Sequence, residues 1–230
     1  MDSAATVKCR ECGSHLEGRV SPSGLVTCSY CGTGYDLRAL NGRGPALISR
    51  ADFSGSCVTG WRLGSPIGGK PVPGAWSITQ PNDGQNHPLL VAPGAYDDFE
   101  VAITFRFVSA GPEDFVFFRS RGGAEGAMTL HLWRQGSVAL RWQMPDHQWQ
   151  NYIVTTPPGP PKDTTDWRQL RWIATGQRHR AYLDGTLVIS AVHPSILHSG
   201  HLDLRIQAKS PSVTIEISDL ALFEPPSTSQ

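Results

Sequence analysis

Phe99-Glu100-Val101-Ala102-Ile103-Thr104-Phe105-Arg106-Phe107 decides the architecture. Phe99, Val101, Ile103, Phe105 and Phe107 occupy every second position, with Glu100, Thr104 and Arg106 between them. Successive side chains of a strand point to opposite faces, so this spacing buries one face and leaves the other for polar contacts. A helical period of 3.6 would scatter the same five residues around a cylinder.

Working outward, the pattern repeats. Met128, Leu130 and Leu132 alternate with Thr129, His131 and Trp133. Val138, Leu140 and Trp142 alternate with Arg141 and Gln143, and Leu202, Leu204 and Ile206 with His201, Asp203 and Arg205. Val213, Ile215 and Ile217 alternate with Thr214, Glu216 and Ser218. Asp184-Gly185 between Tyr182-Leu183 and Leu187-Ile189 is a two-residue hairpin signal. The chain has 24 glycines and 18 prolines, and no long stretch keeps helical spacing without one of them. These strands predict an all-β protein, a two-sheet antiparallel jelly-roll sandwich over residues 53–224. Residues 41–52, which include Asn41-Gly42-Arg43-Gly44-Pro45, read as a linker, and 225–230 as a flexible tail.

Residues 1–40 read as a small zinc ribbon. Cys9-Arg10-Glu11-Cys12 and Cys28-Ser29-Tyr30-Cys31 are two CxxC pairs separated by fifteen residues. Each CxxC turn presents two thiolates on one side, and two such turns facing each other complete the tetrahedron that zinc prefers. Gly13 and Gly32 follow the pairs and permit a left-handed turn. Ser21-Pro22-Ser23-Gly24, between Leu16–Val20 and Leu25–Thr27, reads as a hairpin turn. So short a segment buries too little apolar surface to fold alone, and the metal supplies the missing free energy. With Cys9, Cys12, Cys28 and Cys31 as ligands the site is closed, hence structural. Cys57 is left over, a poor basis for a disulfide framework.

Net charge is zero, with 20 basic and 20 acidic residues. Residues 1–50 carry six Lys/Arg against four Asp/Glu, and the remainder fourteen against sixteen. Neither part offers the basic patch that nucleic-acid binding needs. No apolar run reaches the ~18 residues of a membrane span, and the start lacks the pattern of a secretory signal. A cytoplasmic protein without nucleic-acid or membrane partners is the expectation.

Three segments carry a resemblance to a known superfamily: Tyr96–Phe107 with the following Phe115–Arg119, Trp167–Trp172, and Ala181–Val188 with its Tyr-Leu-Asp-Gly turn. Together with Val213–Phe223 they resemble the concanavalin A-like lectin/glucanase sandwiches, laminin G modules included. Trp76-Ser77-Ile78 ahead of Tyr96 makes the order most similar to the 3-keto-disaccharide hydrolase-type domain. The resemblance implies that Phe115–Arg119 pairs with the strand before it, and that a ligand lies on a concave sheet. The residues alternating away from the core are then the candidates: Arg119, His131, Trp133, Arg141 and Gln143, with Trp149 and Tyr152 at the rim. Aromatic planes stack on sugar faces, while Arg and Gln bond hydroxyls. The bland reading of the same residues is a solvated sheet face with aromatic cross-strand pairs.

The Glu-x-Asp-x-x-Glu strand by which laminarinase-like relatives cut glycans is missing, and Glu216 and Asp219 have the wrong spacing. Two carboxylates about 5 Å apart are needed for that retaining chemistry. His193, His198 and His201 read as a surface cluster near a turn, and Asp184 as a turn residue rather than a calcium ligand. Pro157–Pro161 reads as a stiff extended loop. The expectation is a non-catalytic binding module for a glycan or a protein surface, with the ribbon as a docking element. The alternatives are an enzyme acting on a disaccharide or 3-keto-glycoside, and a structural subunit of a larger assembly.

Overall fold

The computed structural model describes residues 47–53, 60–64, 69–84, 88–121, 126–144, 148–156, 165–193 and 200–225, and the backbone of 25–27 and 34–36. The chain forms two compact units, residues 1–46 with 226–230, and residues 47–225. In the first, β1 (Leu25–Thr27) pairs antiparallel with β2 (Gly34–Asp36), Val26 opposite Tyr35. The segment bearing Cys28 and Cys31 joins these strands. All four zinc-ligand candidates, Cys9, Cys12, Cys28 and Cys31, lie outside the described residues, as do Cys57, Pro157–Pro160 and the 226–230 tail.

The second unit is a sandwich of two antiparallel sheets. Its strands are β3 (Leu47–Arg50), β4 (Arg62–Leu63), β5 (Gly69–Val72), β6 (Ala75–Pro81), β7 (Pro88–Val91), β8 (Phe99–Ser109), β9 (Phe115–Arg121) and β10 (Ala127–Trp133). There follow β11 (Val138–Gln143), β12 (Trp149–Thr155), β13 (Arg168–Thr175), β14 (Arg178–Leu183), β15 (Thr186–Val192), β16 (Leu202–Gln207) and β17 (Ser212–Phe223). One sheet runs β12-β11-β10-β9-β16-β7-β4, the other β15-β14-β13-β8-β17-β6-β5, with β3 also on β17. Leu47–Arg50 is thus a strand of the sandwich, not linker. Leu47 lies opposite Phe223, and the Ala51 N–H donates to Leu220 O. Among the described residues no helix is long and apolar enough to cross a membrane.

Period-two alternation builds the core as its spacing requires. Phe99, Val101, Ile103, Phe105 and Phe107 of β8 are buried, and they meet Met128, Leu130, Leu132, Val138 and Leu140 of the facing sheet in one apolar cluster. Phe99 and Trp172 pack edge to face at 5.0 Å. On the outward side of the same sheet the polar residues pair across strands: Arg171 Nε lies 2.6 Å from Glu100, and Arg106 Nε 2.8 Å from Glu216. Asp184 (φ 50°) and Gly185 (φ 78°) form the β14–β15 turn, both left-handed as a tight hairpin requires. The Asp184 carboxylate also accepts from Gln169 N–H and Arg168 Nε, tying the turn to β13.

One expected pairing differs. β9 does not join β8; it lies in the other sheet between β10 and β16, with Phe117 opposite His131 on one side and Arg205 on the other. The short link 110–114 crosses the sandwich. It is held by Asp114, a fully buried carboxylate that accepts from Lys209 N–H (2.5 Å), Ser210 N–H (2.9 Å), Ser210 Oγ (2.5 Å) and Gly111 N–H. Burial alone pushes this carboxyl up in pKa, but the bonds from Ser210, Lys209 and Gly111 outweigh it and hold it below its ordinary value.

Candidate functional site

The outer face of the seven-stranded sheet carries the candidate site. On β10 the inward set is Met128, Leu130 and Leu132, so Thr129, His131 and Trp133 point outward. Register places Arg141 of β11 beside Thr129, Phe117 of β9 beside His131, and Phe115 beside Trp133. On the far side of β11, Gln143 pairs with Trp149 of β12. One extra residue, Tyr152, sits in β12 where the register shifts between Leu140 and Arg141. Such a bulge bends a strand and re-aims its side chains, here beside Arg141.

These residues make a continuous aromatic layer. The His131 ring stacks against Phe117 (4.8 Å), Phe115 (4.9 Å) and Trp133 (5.4 Å), and meets Trp149 edge-on at 5.2 Å. The Arg141 guanidinium lies 5.1 Å from the centroid of the Trp149 ring. Above the layer opens a depression of about 390 Å³, lined by Glu113, Phe115, Trp133, Gln135, Arg141, Trp149, Gln207 and Lys209. Trp133 and Trp149 are half-buried in its wall, and Gln135, Glu113 and Lys209 are exposed at its edge.

Of the six residues expected on a ligand face, Trp133, Arg141 and Trp149 converge on this depression. Arg119 and Gln143 share the sheet face, half-buried, outside the lining. His131 departs from expectation: it is 0% exposed, because Phe115, Phe117, Trp133 and Trp149 roof it over. Its Nε2 is 2.9 Å from Thr129 Oγ1, and that hydroxyl donates to Arg141 O at 3.2 Å. With the hydroxyl proton so used, Nε2 is the protonated nitrogen and donates to Thr129. Burial and the Arg141 charge hold the His131 pKa well below the ordinary value, so the ring is neutral. It supports the aromatic layer and is out of reach for proton transfer to a ligand.

Tyr152 is also displaced from the expected rim. Its ring packs against His193 at 5.1 Å and its hydroxyl donates to Val192 O at 2.5 Å. His193 is buried rather than part of a surface cluster, stacked on Trp142 at 4.9 Å, whereas exposed His201 bonds Gly94 O. Among the described residues no three His, Cys, Asp or Glu side chains come together as a metal site.

Five lining residues escaped the sequence reading: Glu113, Phe115, Gln135, Gln207 and Lys209. The run Phe115-Val116-Phe117-Phe118 is apolar throughout and hides its alternation. Gln207 continues the outward set Asp203, Arg205 of β16, but only the β9–β16 pairing brings that strand beside β9. The rim is one knot. Asp114 ties loop 110–114 to 209–210, and its own carbonyl accepts from Arg134 N–H, while Arg134 Nη1 donates to Ala110 O. Glu113, Gln135 and Lys209 therefore sit on three loops fastened around one residue, Asp114.

Residues 49–216 match the model of the 3-keto-alpha-glucoside-1,2-lyase-like domain. The chain belongs to this family. A carbohydrate-binding module from Bacillus subtilis superposes on the lyase-like domain with a TM-score of 0.56 at 14% identity, covering 72% of this chain and 96% of that one. A Bacillus subtilis protein of unknown function with a galectin-like fold gives 0.59 at 15%, covering 78% and 96%. A structure concerning botulinum neurotoxin type C, whose cell entry depends on interaction with two ganglioside molecules, gives 0.56 at 10% identity. There the match covers 79% of this chain but 48% of the toxin chain. No curated relative matches the sequence. At these identities the structural likenesses establish the concanavalin-like sandwich fold.

Proposed function

We propose that the lyase-like domain is a non-catalytic binding module that recognises a glycan in the depression between Trp133 and Trp149. One observation carries this reading: two half-buried indoles and an arginine share a depression of about 390 Å³ with the amide side chains of Gln135 and Gln207. Indole faces pack on the C–H faces of sugar rings, while guanidinium and amide groups orient hydroxyls. The likeness of the fold to a carbohydrate-binding module supports the same reading. Glu113 is the single carboxylate among the described lining residues, exposed in a turn, whereas paired-carboxylate hydrolysis needs two.

Family membership favours a second reading, an enzyme acting on a 3-keto-glycoside. The N-terminal unit completes the proposal: Cys9, Cys12, Cys28 and Cys31 hold one structural zinc, and the ribbon docks the module to a partner protein.

A glycan array probed with the full chain, followed by calorimetry on the best sugar, tests the binding reading. Trp149→Ala and Trp133→Ala should each weaken binding by roughly 1–3 kcal/mol while the protein stays folded. An array without a bound glycan refutes it, as do variants that bind unchanged. Cleavage of a 3-keto-glucoside that disappears in Glu113→Gln establishes the enzyme instead.

A further inference from the structure

Several buried or half-buried arginines of this protein are paired with carboxylates, and Arg141 is not. Arg205 grips Asp203 through Nε (2.6 Å) and Nη2 (2.9 Å) on the same sheet face as the depression. On the other sheet Arg171 pairs with Glu100, Arg168 with Asp184 and Arg106 with Glu216. Arg141 has no carboxylate partner among the described residues. Its guanidinium rests on Trp149, and its Nε is buried with no hydrogen-bond acceptor. Burial lowers its pKa, the mark of a cation short of solvent.

Among the described residues no acid pairs with that charge. His131 beneath is neutral. Glu113 lines the same depression but forms no ion pair with Arg141 or Lys209 among the described residues. Among the described lining residues Arg141 and Lys209 stand against this one acid, an excess of one positive charge at the mouth of a site lined by indoles. A planar guanidinium fixed by stacking is pre-organised for two-point hydrogen bonding to an oxyanion, and it loses little freedom when the anion arrives.

We propose, resting on the glycan reading above, that the sugar taken by this depression carries an oxyanion, a carboxylate or a sulfate ester, held by Arg141. The indoles bind the ring, Arg141 takes the anion, and Lys209 adds attraction from the rim.

The test compares matched pairs by calorimetry on the full chain: oligogalacturonate against its methyl ester, and a sulfated galactan oligosaccharide against its desulfated form. At least one anionic member should bind about tenfold or more tightly than its neutral match, the scale of a charge-assisted hydrogen bond. The pair showing that preference names the anion. Added NaCl should narrow it, since salt screens an exposed charge. Arg141→Gln should erase the preference, weakening the anionic member far more than its neutral match, and Arg141→Lys should restore part of it. Trp149→Ala should weaken both members equally. Neutral sugars binding as well as anionic ones overturn this inference and leave the glycan reading intact, as does a preference that survives Arg141→Gln. If neither neutral nor anionic sugars bind, both fall.

Discussion

Falling pH between about 6.5 and 4 should destabilise the sandwich, and His179 shows why. His179 lies on β14, pointing inward beside Trp172 (5.9 Å), fully buried, and neither ring nitrogen has a hydrogen-bond partner. Burial, with a further push from His193, lowers its pKa from 6.5 to about 4. The sign follows. Once unfolded, the ring takes a proton as pH falls through about 6.5, while in the fold it refuses one until about 4. Its contribution to stability is whole above pH 6.5 and is lost progressively down to about pH 4, some 3 kcal/mol in all. His131 acts in the same direction, for it too is buried and neutral. Asp219 opposes them, because burial raises its pKa despite Arg50 and the Leu220 N–H, and the fold takes that proton first. In the window between pH 4.5 and 6 each refusing histidine costs about 1.4 kcal/mol per pH unit. Urea unfolding followed by tryptophan fluorescence reports the sandwich alone, since all seven tryptophans lie at or beyond Trp61. Wild type should lose stability about twice as steeply with falling pH as His179→Leu. Equal slopes, or a wild type indifferent to pH across that window, refute the account.

Other outcomes follow from the same contacts. Arg171→Ala leaves Glu100 buried without its counter-charge and should cost roughly 3–5 kcal/mol by urea unfolding, whereas Glu100→Gln combined with Arg171→Met should cost less. Asp114→Asn should cost roughly 1.5–3 kcal/mol and also weaken sugar binding, because it loosens the loops that carry Glu113 and Lys209. Trp142→Ala should cost roughly 2–3 kcal/mol in the same assay, less than a fully buried tryptophan, since Trp142 is half-buried against the core and His193. Elemental analysis should find about one zinc per chain. Cys28→Ser should lose it without shifting the tryptophan-monitored melt.

Alternation made most of the sandwich legible. Phe99–Phe107 separates core from outer face residue by residue, and so does Met128–Trp133; both fall in the structure as their spacing requires. Partners were not legible. Phe115–Arg121 follows β8 closely in sequence yet joins the other sheet, and nothing local encodes that Asp114 is anchored by Ser210, nearly a hundred residues away. The same non-locality hid half of the depression. Trp133, Arg141 and Trp149 come from neighbouring strands and were found together, while Gln207 and Lys209 arrive with β16. Outward position also failed to mean accessible. His131 points away from the core as its register demands, and bulky neighbours on adjacent strands seal it.

The strand order has a kinetic consequence. β16 sits between β9 and β7, and β17 between β8 and β6, so the last two strands in the sequence are interior members of the two sheets. Until residues 202–223 have left the ribosome, each sheet is two separate pieces with raw hydrogen-bonding edges facing one another. Every contact that joins the pieces closes a loop of about eighty residues or more, which makes folding slow for a domain of this size. A nascent chain halted before Leu202 would display those edges together with the apolar faces behind them, the combination that invites strand addition from a neighbouring chain.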